Sequence, residues 1–277
     1  MTTASIDTTS AAPNYTAIKT KQKATWGSGD YGRIGVTLQI TGETLCEAMD
    51  IRSGQSVLDV AAGNGNASLA AARRFCKVVS TDYVPSLLEQ SRIRATAEKL
   101  AIDYREADAE ALPFDDASFD NVVSTFGVMF APNQEQAAAE LIRVCKKGGK
   151  IGLANWTPDS FVGQIFKTVG GHVPPPPGVN SSAAWGTEAF LDKQFGAHAS
   201  KIEVTPRKFT FRYHSPDHWL DIFSTFYGPM VKAFDALDDA AKGVLRDDLR
   251  NLIGRHDRAS DGTMVVPADY LEVVISR

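Results

Sequence analysis

A chain of 277 residues with 22% charged side chains suits one large domain, or a core domain with an elaborated cap. The formal net charge of −4, with no basic run of five residues, argues against a nucleic-acid or anionic-membrane partner. No stretch approaches the ~18 consecutive apolar residues of a membrane span. The first residues lack the basic and apolar parts of a signal peptide, so a cytoplasmic location is expected. Cys46, Cys76 and Cys145 are far apart in apolar surroundings and read as small buried hydrophobes. No Cys-x-x-Cys or histidine cluster predicts a metal site.

In chain order, residues 1–14 are expected to form a disordered tail, and 15–56 an N-terminal helical lid segment. Within it, TWGSGDYG (25–32) carries Trp26 and Tyr31, aromatic candidates to cover a ligand. A helix over 34–50 ends at the turn IRSG (51–54). A rhythm then begins. VLDVA (57–61), KVVSTD (77–82), IDYREAD (102–108), NVVSTFG (121–127) and KIGLANW (150–156) read as strands. Helices are expected at 66–74, from Pro85 to about Leu100, and at 134–145 closed by Gly148–Gly149.

Alternating strands and helices imply an α/β fold: a mostly parallel sheet covered on both faces. After Trp156 the rhythm breaks. Residues 157–260 are expected to form a helical cap that includes HVPPPPG and helices near 187–195, 216–228 and 238–256. A late sheet strand at 201–213 and a final one within 261–277 return to the sheet.

In open sheets of this kind, ligands sit outside the carboxyl ends of the strands, where strand order reverses. The first such end is the loop in VLDVAAGNGNAS (57–68). The dinucleotide fingerprint G-x-G-x-x-G would need a third glycine where Ser68 stands. Asp59 precedes the loop. Facing a pyrophosphate there, like charges ~4 Å apart would repel by about 4 kcal/mol at an effective dielectric of 20. A nucleoside with a positive tail is therefore favoured over one with a diphosphate. The second strand ends in Asp82, about where an acid accepts hydrogen bonds from ribose hydroxyls. The third ends in Asp108–Ala109–Glu110, an edge suited to an adenine amino group and ring nitrogen.

VLDVAAGNGN, STDYVPSLLEQSR, READAEALPFDDASFD, STFGVMFAP and KKGGKIGLANW, in this order and spacing, resemble the class I S-adenosylmethionine-dependent methyltransferases. The likeness covers about 57–156, and is greatest to the ubiquinone/menaquinone-biosynthesis type of small-molecule enzyme. It implies a Rossmann-like seven-stranded sheet whose last two strands form an antiparallel edge, with S-adenosylmethionine as cofactor. Carried over, Ala61, Gly63 and Gly65 line the methionine end. Asp82 holds the ribose, Tyr83 lies beside the adenine, and Asp108 and Ala109 meet its edge. Phe126 lies near the sulfonium. Position 61 is Ala where many members have Gly.

Methyl transfer needs an aligned substrate and excluded water. Trp219, Ile222, Phe223, Phe226 and Tyr227 fall on one helical stripe. Trp219, Phe223 and Tyr227 are candidate walls of a pocket for a flat, aromatic or lipophilic substrate, though core packing gives the same pattern. His172, His214 and His218 are candidate general bases. A small-molecule methyltransferase acting as a monomer or homodimer is expected, with no nucleic-acid partner. A protein that binds the cofactor without turnover is the alternative. A nicotinamide-dependent oxidoreductase conflicts with Ser68 and Asp59. A base-amino nucleic-acid methyltransferase would carry Asn/Asp-Pro-Pro-aromatic where STFGVMFAP stands.

Overall fold

The computed structural model describes residues 13–277. Most of the tail expected over 1–14 lies outside these residues; Asn14 belongs to the first helix, whose Ala17 N–H its side chain caps. In chain order the elements are α1 (Tyr15–Trp26), α2 (Gly32–Gly35), α3 (Gln39–Ala48), β1 (Ser56–Val60), α4 (Asn66–Arg73) and β2 (Lys77–Asp82). Then come α5 (Pro85–Ala97), β3 (Ile102–Glu106), β4 (Phe119–Thr125), α6 (Gln134–Val144), β5 (Cys145–Trp156) and α7 (Phe161–His172). The chain finishes with α8 (Glu188–Phe195), β6 (Lys201–Tyr213), α9 (Pro216–Phe226), α10 (Gly228–Asp235), α11 (Asp239–His256) and β7 (Met264–Ser276).

The seven strands form one sheet in the order β3-β2-β1-β4-β5-β7-β6. The first five are parallel, and β7 runs antiparallel between β5 and β6. This is the Rossmann-like sheet that the motifs imply. β6 and β7 pair along their whole 13-residue length, so the final strand begins earlier than ADYLEVVISR.

Strand periodicity builds two cores, one on each face. Val57 and Val123 pack with Leu45, Met49, Ala67, Ala70 and Ala71 beneath α3 and α4. Leu58, Val60 and Val122 face the opposite way, into the larger core with α6, α7, α9 and α11. The alanine-rich face of α4 lets it lie close to α3. A Cβ at Gly42 would come within 2.6 Å of the Asn66 carbonyl oxygen.

Three elements depart from the sequence expectation. The helix over 34–50 is broken into α2, a 3-10 turn at Val36–Leu38, and α3. The helix expected over 216–228 ends at Phe226, and Gly228 begins a separate helix, α10, with Pro229 in its first turn. Residues 161–172, placed in the helical cap without a helix of their own, form α7, capped by the Ser160 side chain on the Gly163 N–H. Among the described residues no helix is long and apolar enough to cross a membrane.

Candidate active site

Strand order reverses between β1 and β4, and the first residue after each is left-handed: Ala61 at φ 53° and Phe126 at φ 57°. That conformation costs a non-glycine residue about 1–2 kcal/mol, and such strain gathers at functional sites. Gly127 lets the two ends meet, since a Cβ there would lie 2.1 Å from the Ala61 carbonyl oxygen. Above them opens a cleft of about 860 Å³.

The loop after β1 is tied to the end of β2. The Gly63 N–H donates to Asp82 Oδ2 at 2.9 Å, and the Val84 N–H to Oδ1 at 2.9 Å. Each carboxylate oxygen keeps a further lone pair for a ligand. Burial pushes the Asp82 carboxyl up to about 6, although the main-chain amides oppose that shift. Gly63 is left-handed at φ 55°, and a Cβ on it would touch the Tyr31 ring at 3.4 Å.

Past β3, Asp108 and Glu110 both accept from Lys19 Nζ, at 2.6 and 2.9 Å. Asp108 also accepts from the Glu110 N–H at 2.9 Å. Lys19, Gln22 and Trp26 reach the cleft from one face of α1. The Gln22 Nε2 donates to the Phe130 carbonyl at 3.2 Å, while its Oε1 is buried without a partner. The charged residues lining the cleft are three carboxylates and one lysine. Such a wall suits a ligand rich in hydrogen-bond donors and positive charge, and opposes a diphosphate.

An inner chamber of about 480 Å³ continues from the cleft, sharing Trp26, Tyr31, Leu38, Phe126 and Phe130 with it. Phe126 is stacked on Trp156, ring centroids 4.0 Å apart at 7°. Phe166, Phe211, Phe223 and Tyr227 close the far side. Trp26 packs edge-on against Phe130 (4.9 Å), Tyr227 (5.5 Å) and Tyr31 (5.8 Å). Glycines on both segments make this approach possible. A Cβ at Gly29 would sit 2.2 Å from the Phe226 oxygen, and one at Gly228 2.1 Å from the Thr25 oxygen.

Of the residues expected at the site, Trp26, Tyr31, Ala61, Gly63, Asp82, Tyr83, Asp108, Ala109 and Phe126 line the cleft. Phe223 and Tyr227 line the chamber. Asp59 is placed elsewhere. It shares the face of Val57, and its Oδ2 accepts from the Ser68 N–H (2.8 Å) and Oγ (2.6 Å), capping α4. The electrostatic reading that gave it a ligand is thus corrected; the carboxylates of the cleft itself take that part. Gly65 likewise serves packing, because a Cβ there would lie 1.9 Å from Ser91 Oγ. Trp219 is fully buried, stacked on Phe223 at 4.2 Å, and stands outside the chamber wall.

The histidines are corrected as well. His172 Nε2 meets Asp248 at 2.8 Å between α7 and α11, and the His214 N–H donates to His218 Nδ1 at 3.3 Å at the surface. None of the three lines either cavity. Sequence reasoning missed Lys19, Gln22, Thr125 and Phe130 in the cleft. For the first two a signal existed: Lys19, Gln22 and Trp26 are spaced by three and four, one face of a helix.

The family described as "Methyltransferase domain" matches residues 58–153. An uncharacterized protein of Mycobacterium tuberculosis is 41% identical over 228 residues, covering 81% of this chain and 83% of that one. A demethylmenaquinone methyltransferase of Deinococcus radiodurans is 35% identical over 143 residues, 50% of this chain and 59% of that protein. Among solved structures, the YcgJ protein of Bacillus subtilis superposes with a TM-score of 0.59 at 18% identity, over 84% of this chain and 97% of that one.

Proposed function

Because residues 58–153 make the chain a member of the methyltransferase-domain family, we propose that it is a class I S-adenosylmethionine-dependent enzyme that moves a methyl group to an O, N or C atom of a small aromatic or lipophilic molecule. The observation that carries this reading is the pairing of two cavities across Tyr31 and Phe126: an acid-lined cleft and an aromatic chamber. S-adenosylmethionine brings what the cleft is built to receive: hydroxyls, amino groups and a sulfonium, with no phosphate. Bound there, it supplies an electrophilic methyl group.

The chain's residues then have distinct tasks. Asp82, fixed by two amides, accepts from the ribose hydroxyls. Tyr83, Asp108 and Ala109 frame the adenine. Gly63 leaves main chain open to the methionine end, where Ala61 and Phe126 bring the two strand ends together. Trp26 and Tyr31 cover the cleft and exclude water. The aromatic faces of the chamber hold a flat substrate in line with the methyl, and alignment of this kind can account for several kcal/mol of a barrier.

The test is calorimetric titration with S-adenosylhomocysteine and with NAD. Homocysteine-product binding without an NAD signal is expected. Asp82→Asn loses a charged hydrogen-bond acceptor, which costs ~1.5–3 kcal/mol, or about tenfold to a hundredfold in affinity. NAD binding with no response to the nucleoside would sink the reading. Bound nucleoside with no methyl loss to any aromatic acceptor would favour a binding protein without turnover.

A further inference from the structure

The inner chamber is closed by aromatic and aliphatic side chains, with no carboxylate, amine, guanidinium or imidazole among its lining residues. Its polar side-chain atoms are the hydroxyls of Tyr31 and Tyr227 and the indole nitrogens of Trp26 and Trp156. The two rings of the tyrosine pair lie 6.5 Å apart, tilted at 43°. Burial pushes the Tyr31 hydroxyl up to about 12, with the Asp82 charge adding to it. Burial also holds Tyr227 up, reinforced by Tyr31. Both therefore keep their protons at neutral pH, and an indole N–H can only donate. Every polar side-chain atom of the chamber can donate a hydrogen bond, and only the two tyrosine oxygens can also accept one.

We propose that the chamber binds an uncharged, flat aromatic molecule bearing an oxygen or ring nitrogen that accepts hydrogen bonds, oriented by the Tyr31 and Tyr227 hydroxyls. This rests on the methyltransferase reading and narrows its substrate. A carboxylate or phosphate finds no cation in the chamber and faces the acids of the cleft. A primary ammonium meets ring faces that attract it, but its three N–H donors find only the two tyrosine oxygens to accept them. Either ion gives up most of its hydration to enter the chamber, which is costly. A neutral acceptor atom loses far less and meets waiting donors. Tyr227 is the residue to examine, because it lines the chamber and not the cofactor cleft, whereas Tyr31 lines both.

Equilibrium dialysis against four probes built on one ring system tests this: naphthalene, 2-acetylnaphthalene, 2-naphthoate and 2-naphthylmethylammonium, on wild type and Tyr227→Phe. The expected order puts 2-acetylnaphthalene first by about fivefold over naphthalene, the worth of one net hydrogen bond, with both ions weakest. Tyr227→Phe should erase that fivefold gain while leaving naphthalene and S-adenosylhomocysteine binding unchanged; retention of the latter two shows the variant is folded. A charged probe that binds as tightly as 2-acetylnaphthalene would overturn the proposal, as would a Tyr227→Phe protein that keeps the gain. Failure of all four probes with S-adenosylhomocysteine still bound would remove the chamber as the substrate site and leave the methyltransferase reading intact. Probe binding in the expected order without any S-adenosylhomocysteine binding would sink that reading, and with it the chamber's role in methyl transfer.

Discussion

Asp59 and Asp82 end neighbouring strands and do different work. Asp59 is wholly buried, capping α4 through Ser68, with Oδ1 left unpartnered. Burial, opposed by its Ser68 hydrogen bonds, pushes its carboxyl from 3.8 up to about 7. The folded protein therefore holds a proton on Asp59 that the unfolded chain has released above pH 3.8. Its contribution to stability is complete in acid and is lost as pH rises through about 7. Asp59→Asn keeps an oxygen for the Ser68 N–H and cannot ionise. Urea midpoints measured from about pH 5 to 8 should fall less steeply with pH in this variant than in wild type. Some slope remains, because Asp82 is also raised, to about 6. A slope identical to wild type would mean that Asp59 titrates in its ordinary range. The sequence held the clue to this placement. A period of two sets Asp59 beside Val57, on the face that α4 covers.

Among the elements, α1 is unusual: none of its residues is buried, yet three of them line the cleft. It is held from outside, by Lys19 to Asp108 and Glu110, by Lys23 to Glu106, and by Gln22 to the Phe130 carbonyl. Partly exposed ion pairs contribute about 1 kcal/mol or less and weaken with salt. Lys19→Met leaves the buried Glu110 carboxylate with only the Asn133 N–H, so it should lower the unfolding midpoint, and it should raise the release rate of S-adenosylhomocysteine by about fivefold. In stopped-flow release followed by Trp26 fluorescence, added salt should speed wild type more than the variant. Equal rates at every salt concentration would mean that α1 does not control exit. The main-chain contacts at Gly29 and Gly228 join α1 to the α9–α10 junction. That joining was hidden from sequence, as was α10 itself. A close approach of two backbones leaves only scattered glycines as its trace.

Across the whole molecule, local pattern decided what could be read. Four of the five parallel strands announce themselves by short apolar runs, while β3 (IDYRE) is largely polar and no helix separates it from β4; their order follows from the family likeness. Asp82, Gly63 and Asp108 were readable because a strand end fixes their place. The chamber was only half readable. Phe223 and Tyr227 belong to a visible stripe, but Trp156, Phe166 and Phe211 come from three other elements that meet only in the folded chain. The three histidines failed for the same reason, as residue type says nothing of which way a cap helix turns. The cleft draws on α1, the ends of β1, β2 and β4, and the segment past β3. A ligand there contacts main-chain segments spread from Lys19 to Pro132, so binding should stabilise the folded state as a whole. At a hundredfold excess over its dissociation constant, a ligand adds about 2.7 kcal/mol. For a chain of this size that raises the melting temperature by roughly 5–10 °C. S-adenosylhomocysteine should produce that rise, and NAD at equal concentration should not, because its diphosphate meets three carboxylates and one already paired lysine. A comparable rise with NAD would show that the acids of the cleft do not select against phosphate, and would remove the electrostatic basis on which the cofactor was assigned.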